Sequence, residues 1–233
     1  MNILLTGGSG TLGSELIKLI SLTDHKLDSP NSKSFDITDF NSLSSYNCPF
    51  PPDILIHCAA YTDVKASETD ISAPLETNII GTCNIIKYCN LKNTKLVQIS
   101  TDHVFDGEEG IYLPESKVNP ITKYAKSKAA AEIAASMYSN CLIIRTSFFP
   151  YKFPYEKAFT DQYTSKDYID IIAPKILKAA LSNLTGIAHC GSSRESIYNI
   201  AKRRNPNVIP IQRRDFDFPT LRDTSLSANK EFD

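Results

Sequence analysis

The chain has no excess of either charge. Its 233 residues hold 25 Lys and Arg against 26 Asp and Glu, a net charge of −1. That balance gives no field to attract nucleic acid or an anionic membrane surface, so neither is expected as a partner. No apolar run approaches the roughly 20 residues a membrane-crossing helix needs. The chain opens directly on an apolar strand, so no secretory leader is expected. The six cysteines, at positions 48, 58, 83, 89, 141 and 190, show neither C-x-x-C nor zinc-ligand spacing. Several sit inside apolar runs, as buried thiols do. The expectation is a reduced, cytoplasmic protein without a structural metal. Internal repeats and low-complexity segments are also missing. What is left is ordinary for a soluble globular protein, with 42% hydrophobic and 22% charged residues. The length suits one large domain, or one with a small appended lobe.

Short apolar runs alternate with helical patterns along the first two thirds of the chain. Met1–Leu5 is followed by Leu12, Leu16, Ile17 and Ile20 at helical spacing. Asp53–Ala60, bounded by Pro52, reads as a buried parallel strand and Leu75–Asn90 as a helix. Leu96–Ile99 reads as a strand, Ala125–Met137 as an Ala-rich helix and Cys141–Ile144 as a strand. This order predicts an α/β protein with a doubly wound parallel sheet, helices on both faces, contained within about residues 1–147. From Phe148 to Tyr163 the sequence turns irregular. A helix then ends near Leu181 with Pro174 expected in its first turn. A short strand at Gly186–His189, a helix near Glu195–Lys202 and a Pro- and Arg-dotted tail from Pro206 complete a small carboxy-terminal lobe.

Two features carry chemistry. The first is Gly7, Gly10 and Gly13 in Thr6-Gly7-Gly8-Ser9-Gly10-Thr11-Leu12-Gly13, between a strand and a helix. Glycines there allow a tight turn and a close ligand, and the helix start offers free N–H groups and a positive dipole end to a pyrophosphate. The spacing G-x-x-G-x-x-G differs from the standard dinucleotide fingerprint. The second is Tyr124 with Lys128, four apart and so on one helix face. An ammonium beside a phenol lowers the phenol's pKa and suits it to proton transfer; a solvated helix face is the bland reading. Ser100-Thr101-Asp102 follows a strand end, where a hydroxyl can meet a substrate carbonyl, or where an Asx or Ser/Thr turn merely ends the strand. Asn78 either orders a water or carbonyl, or packs inside its helix. Asp36-Ile37 either places a carboxylate by an adenine or caps a helix beginning at Thr38.

These stretches together resemble the extended short-chain dehydrogenase/reductase superfamily, and within it the dTDP-4-dehydrorhamnose reductases and their sugar-nucleotide relatives. The match runs through the glycine turn, Phe35-Asp36-Ile37-Thr38-Asp39, Cys58-Ala59-Ala60-Tyr61-Thr62 and Ser100-Thr101-Asp102-His103-Val104-Phe105-Asp106-Gly107. It continues through Asn119-Pro120, Tyr124-Ala125-Lys126-Ser127-Lys128 and Ile144-Arg145-Thr146-Ser147, with echoes at Asp161–Ser165 and Arg222–Ser225. The resemblance implies a Rossmann domain over 1–147 and a shortened substrate-binding lobe over 148–233, integrated with the first. It implies hydride transfer from NADPH or NADH to the C4 ketone of a nucleotide-linked 4-keto-6-deoxy sugar, as in dTDP-rhamnose biosynthesis. Tyr124 would give the proton, Lys128 would lower its pKa and hold the nicotinamide ribose, and Thr101 would bond the carbonyl oxygen. Gly7, Ser9, Gly10, Thr11, Leu12 and Gly13 would carry the pyrophosphate. Asp36 and Ile37 would flank the adenine, and Ala59, Ala60, Tyr61, Asn78 and Ser100 would complete the cofactor cleft. Thr101, Asp102, Val104 and Phe105 would face the substrate. No metal is implied. Beyond the keto-sugar nucleotide, a homodimer is the one assembly this expectation allows.

Two departures from the family pattern bear on function. Asp161 comes only sixteen positions after Arg145, a short connection for this family, and Val64-Lys65-Ala66-Ser67-Glu68 lacks the acid expected after the valine. A catalytically silent sugar-nucleotide or dinucleotide-binding protein is therefore the alternative. A dehydratase or epimerase is disfavoured, since Asp102-His103 stands where dehydratases carry Asp-Glu. Cofactor preference rests on two residues. Asp28, 21 positions after Gly7, suits the ribose hydroxyls of NADH, whereas Lys33 suits the 2′-phosphate of NADPH; NADPH is preferred.

Overall fold

The computed structural model of the chain describes residues 1–216, 220–227 and 232. Its frame is a parallel six-stranded sheet. Five strands are β1 (Asn2–Thr6), β2 (Lys26–Asp28), β3 (Ile54–His57), β4 (Lys95–Ser100) and β5 (Cys141–Thr146). Short strands β6 (Phe148–Phe149), β7 (Lys157–Phe159), β8 (Tyr163–Thr164) and β9 (Asp167–Tyr168) follow, before β10 (Gly186–Cys190) completes the sheet. Its order is β10-β5-β4-β3-β1-β2. The last strands, β11 (Glu195–Ser196) and β12 (Ile209–Ile211), pair with β8 and β7.

The apolar runs fold this way because both faces of the sheet are covered. Ile3, Leu5, Ile54, Ile56, Val97, Ile99, Leu142 and Ile144 point to one face, where they pack with α1 (Thr11–Ser21) and α7 (Ile169–Ala180). Leu4, Leu55, Leu96, Cys141 and Ile143 point to the other, with Ile85 and Cys89 of the long helix and Ala135 of the Ala-rich one. Strict alternation of burial between two faces is what a doubly wound sheet demands. On the second face lie α2 (Phe40–Ser45), α3 (Val64–Thr69), α4 (Ser72–Pro74), a π-helical turn (Leu75–Ile80), α5 (Gly81–Lys92) and α6 (Lys123–Ser136). A final helix, α8 (Ile197–Lys202), packs under β7 and Tyr168.

Several expectations need correction. The sheet does not stop at residue 147, because β10 pairs in register with β5. Pro174 is the sixth residue of α7, not in its first turn, so the Asp170 carbonyl loses its helical donor. The helix expected near Glu195 begins at Ile197, capped by the Ser196 hydroxyl on the Asn199 N–H. Asp36 caps no helix; its Oδ1 accepts from the Thr38 N–H and hydroxyl, and Asp39 caps α2 instead. The ends of the tail, 217–219, 228–231 and 233, lie outside the described residues.

One ion pair fixes α6 to the sheet. Arg145 of β5 donates from Nη2 to Glu132 of α6 at 2.8 Å and from Nε at 3.1 Å, both side chains at most 6% exposed. The guanidinium also donates to the Pro114 carbonyl and stands 5.0 Å from the Phe105 ring centre. Removing one member of such a pair strands a charge in low dielectric. Glu132→Leu should therefore lower the unfolding free energy by about 3–5 kcal/mol, and adding Arg145→Met should restore most of it. Urea unfolding of the three chains checks this.

Candidate active site

The site forms where the carboxyl ends of β1, β3, β4 and β5 meet the amino end of α1. Gly7 sits at φ +73°, and a Cβ there would lie 2.5 Å from the Ala59 nitrogen. A Cβ on Gly13 would lie 2.2 Å from the Gly7 carbonyl oxygen. These two glycines are thus required by backbone packing of the turn against the end of β3. Gly10 is different: it is the N-cap of α1, no side chain caps that helix, and its own Cβ would meet only the Gly7 oxygen at 3.3 Å. The first N–H groups of α1 are therefore left for a ligand. Beneath the turn, Thr6 Oγ1 and His57 Nδ1 are 2.7 Å apart, and burial brings the His57 pKa down to about 3, so this network stays neutral.

Two cavities share Gly7, Gly10, Cys58 and Ala60. The first, of about 580 Å³, lies over Ser9, Ser29–Ser32, Asp36, Ile37 and Ala59. The second, of about 410 Å³, is lined by Thr11, Leu12 and Gly13 and then by Ser100, Thr101, Tyr124 and Lys128. Through these shared residues the two adjoin over the glycine turn. Residues proposed from the sequence thus converge on one place. Tyr61, Asn78, Lys33, Asp102, Val104 and Phe105 do not line it.

Each of those exceptions has a physical reason. Asn78 is 1% exposed and ties the cleft together from behind: its Oδ1 accepts from the Tyr61 N–H at 2.8 Å, and its Nδ2 donates to the Tyr61 carbonyl and to Ser127 Oγ. Lys33 is exposed on the loop after β2, with Ser29–Ser32 between it and the cavity. Val104 and Phe105 are fully buried in a satellite core with Tyr112, Ala129 and Leu226. Asp102 is 1% exposed and accepts from Ser147 Oγ and, at 2.7 Å, from Thr224 Oγ1. Burial alone would raise its pKa, but Lys166, His103 and these hydroxyls together hold it below the usual carboxylate range.

Tyr124 and Lys128 share one face of α6, as their spacing requires, and both are buried. Thr122 caps that helix through the Ala125 N–H. The Lys128 ammonium donates to the Ile99 carbonyl at 2.7 Å, not to the phenol. Burial brings its pKa down to about 8, against the pull of Glu132. Burial also pushes Tyr124 up to about 12, with the Thr101 hydroxyl lowering it and Asp102 raising it. The expected acidified phenol is thus not the resting state. Desolvation outweighs a charge that is directed elsewhere. Thr101 Oγ1 takes the His103 N–H at 3.2 Å and lies 3.5 Å from Ser147 Oγ.

Thr62, His103, Ser147 and Lys166 are among the lining residues that the sequence did not mark as site residues. His103 stands edge-on to Tyr124 with ring centres 6.3 Å apart. Position just after a strand end was the available signal for Ser147, which follows β5; Lys166 gave none, since it arrives from the lobe.

The Lys128 pKa has a measurable consequence. Folded, the ammonium loses its proton near pH 8; unfolded, near 10.5. Between these values the unfolded chain binds more protons, so this group's contribution makes stability rise with pH through that window and leaves it flat below. The Tyr124 shift acts with the opposite sign, and only above about pH 10. Lys128→Met should abolish the rise, read as urea midpoints at about pH 7.5 and 9.5.

Comparison with known proteins agrees with this geometry. Over 179 residues the chain is 29% identical to the dTDP-4-dehydrorhamnose reductase of Aggregatibacter actinomycetemcomitans, covering 75% of this chain and 61% of that protein. The protein of the same name from Mycobacterium tuberculosis is 30% identical over 152 residues, 63% of this chain and 49% of its own. The aligned stretch thus spans 49% to 61% of these relatives' length. A crystal structure of dTDP-4-dehydrorhamnose reductase from Bacillus anthracis in complex with NADP superposes with a TM-score of 0.88 at 26% identity, covering 98% of this chain and 90% of that one. Residues 1–176 of the 233 match the family model described as RmlD substrate binding domain, and the chain belongs to that family.

Proposed function

We propose that the protein is an NADPH-dependent reductase acting on the C4 ketone of a nucleotide-linked 4-keto-6-deoxy sugar. The observation that carries this reading is one cavity lined at once by the uncapped start of α1 and by Thr101, Tyr124 and Lys128. In this reading residues 1–147 bind the dinucleotide and the later segment supplies the substrate side. The relatives' names and the NADP bound to the Bacillus anthracis protein support it.

Fit to a dinucleotide rests on the chain itself. Gly7, Ser9, Gly10, Thr11, Leu12 and Gly13 offer backbone to the pyrophosphate, and Asp36, Ile37, Ala59 and Ala60 border the adenosine end. Asp28, the acid that would favour NADH, accepts the Tyr46 hydroxyl at 2.7 Å and the Cys48 thiol at 3.5 Å, and does not line the cavity. Ser29, Asn31 and Ser32 stand there instead, which supports NADPH. When bound, NADPH supplies the hydride. Tyr124, protonated throughout the neutral range, holds the proton that the carbonyl oxygen receives. Thr101 orients that oxygen, and Lys128, anchored on Ile99, is placed for the ribose. Elimination lacks its acid, because Asp102 is held by Ser147 and Thr224 and the next residue is His103. The same reading is of a cytoplasmic enzyme and allows a homodimer.

Purified protein mixed with NADPH and dTDP-4-keto-6-deoxy sugars should consume the reduced nicotinamide, followed by absorbance. Tyr124→Phe should cut kcat by about 10²–10⁴-fold while leaving NADPH affinity within about threefold. Tight NADPH binding with no oxidation across several keto-sugar nucleotides would instead establish a binding protein.

A further inference from the structure

The cavity that Tyr124 lines carries cationic side chains and no carboxylate. Among its lining residues are the ammonium groups of Lys128 and Lys166, none is Asp or Glu, and burial holds His103 below the usual imidazole range. Lys128 is committed to the Ile99 carbonyl. Lys166 is not committed. It enters from the segment before β9, where its N–H is fixed on Thr164 Oγ1 at 3.1 Å, and its Nζ lies 5.8 Å from the Phe149 ring centre. Among the described residues no carboxylate lies within ion-pair distance of that ammonium. The acid that senses it most, Asp102, is buried beneath the cavity wall with its oxygens already taken by Ser147 and Thr224. A half-buried lysine that faces a cavity, with the hydroxyl-bonded Asp102 as its opposite charge but no direct ion pair among the described residues, keeps donors for an anionic ligand.

The dinucleotide does not need it, because the glycine turn and the amino end of α1 already provide for a pyrophosphate. We infer that Lys166 binds a phosphate of the second substrate and so makes the cavity selective for sugars carried on a nucleoside diphosphate. The single sugar ring would then occupy the space toward Tyr124, with its phosphates at the Lys166 wall. This rests on the reductase reading for which end of the substrate reacts, but not for the binding itself. It also gives the short connection after β5 a use: β6 and β9 pair directly, Phe148 with Asp167 and Phe149 with Tyr168, and that pairing brings Lys166 into the cavity.

The test uses the full chain saturated with NADP⁺ and dTDP as probe, with affinity measured by titration calorimetry. Lys166→Met keeps the apolar stem against Phe149 and should weaken dTDP about 10- to 100-fold, whereas Lys166→Arg should stay within about threefold of the parent. NADP⁺ affinity should be unchanged in both, and with keto-sugar nucleotide KM should rise in Lys166→Met far more than kcat falls. Equal dTDP affinity in the parent and Lys166→Met overturns the inference, as does absence of dTDP binding to the parent. Parallel loss of NADP⁺ affinity overturns it too, by assigning Lys166 to the dinucleotide or to the fold. Lysine-dependent dTDP binding without NADPH oxidation would reject the reductase reading and leave this one standing.

Discussion

Lys128 places its ammonium on the carbonyl of Ile99, 2.7 Å away, inside a wall made otherwise of alanines and sheet. That contact is possible only because α6 sits low on β4 and β5, and the helix can do so because Ala125, Ala129, Ala131 and Ala135 present so little bulk. One turn on from Lys128, Glu132 grips Arg145 and prevents the helix from sliding along the strand. Tyr124, one turn before, is thereby held at the mouth of the cleft beside Thr101. The position of the phenol is therefore set by a stripe of three charged or polar side chains at helical spacing. The middle one lines the cleft beside the phenol, and the last one fixes the register.

The second wall of the cleft comes from far along the chain. The segment after Leu221 returns to the sheet: Thr224 donates to Asp102, Leu226 bridges to Tyr112, and Ser165 Oγ donates to the Leu226 carbonyl. Asp102 therefore belongs to this clasp, and its low pKa is that of a buried acid satisfied by hydroxyls and facing the Lys166 ammonium. With the lobe drawn in this way, a connection of only fifteen residues between Arg145 and Asp161 still brings Phe148 and Lys166 to the cavity that the glycines begin.

Elements buried on both faces were legible in the sequence, because continuous Ile, Leu and Val runs admit few other arrangements. The glycine turn, Tyr124, Lys128 and Thr101 were legible for a related reason: each lies in a strand, helix or strand end whose period fixes where side chains point. Asp102, Val104 and Phe105 were misread because adjacency to Thr101 in sequence says nothing of direction once the strand ends in a 3₁₀ turn at Asp102–Val104. Asn78 was legible in part, since its amide does hold a backbone carbonyl, that of Tyr61, but from a π-helical turn behind the cleft and not from the cleft's lining. β10 was found as a strand yet excluded from the sheet, and Lys166 was not found at all. Both depend on contacts of long sequence separation, which no local pattern encodes.

The phenol's pKa depends on where its neighbouring ammonium points, more than on the spacing of the two residues. A charge at i+4 lowers a phenol only if it points at it, and here burial and the Ile99 carbonyl decide where the ammonium points. In ketone reduction the acid must stay protonated until hydride arrives, and the oxygen then formed is a stronger base than a phenolate. A phenol near 12 gives its proton downhill to that oxygen while refusing it to water at neutral pH. Desolvation thus keeps the Tyr124 phenol a proton donor across the neutral range, and only an ammonium swung from Ile99 toward it would pull its pKa down again.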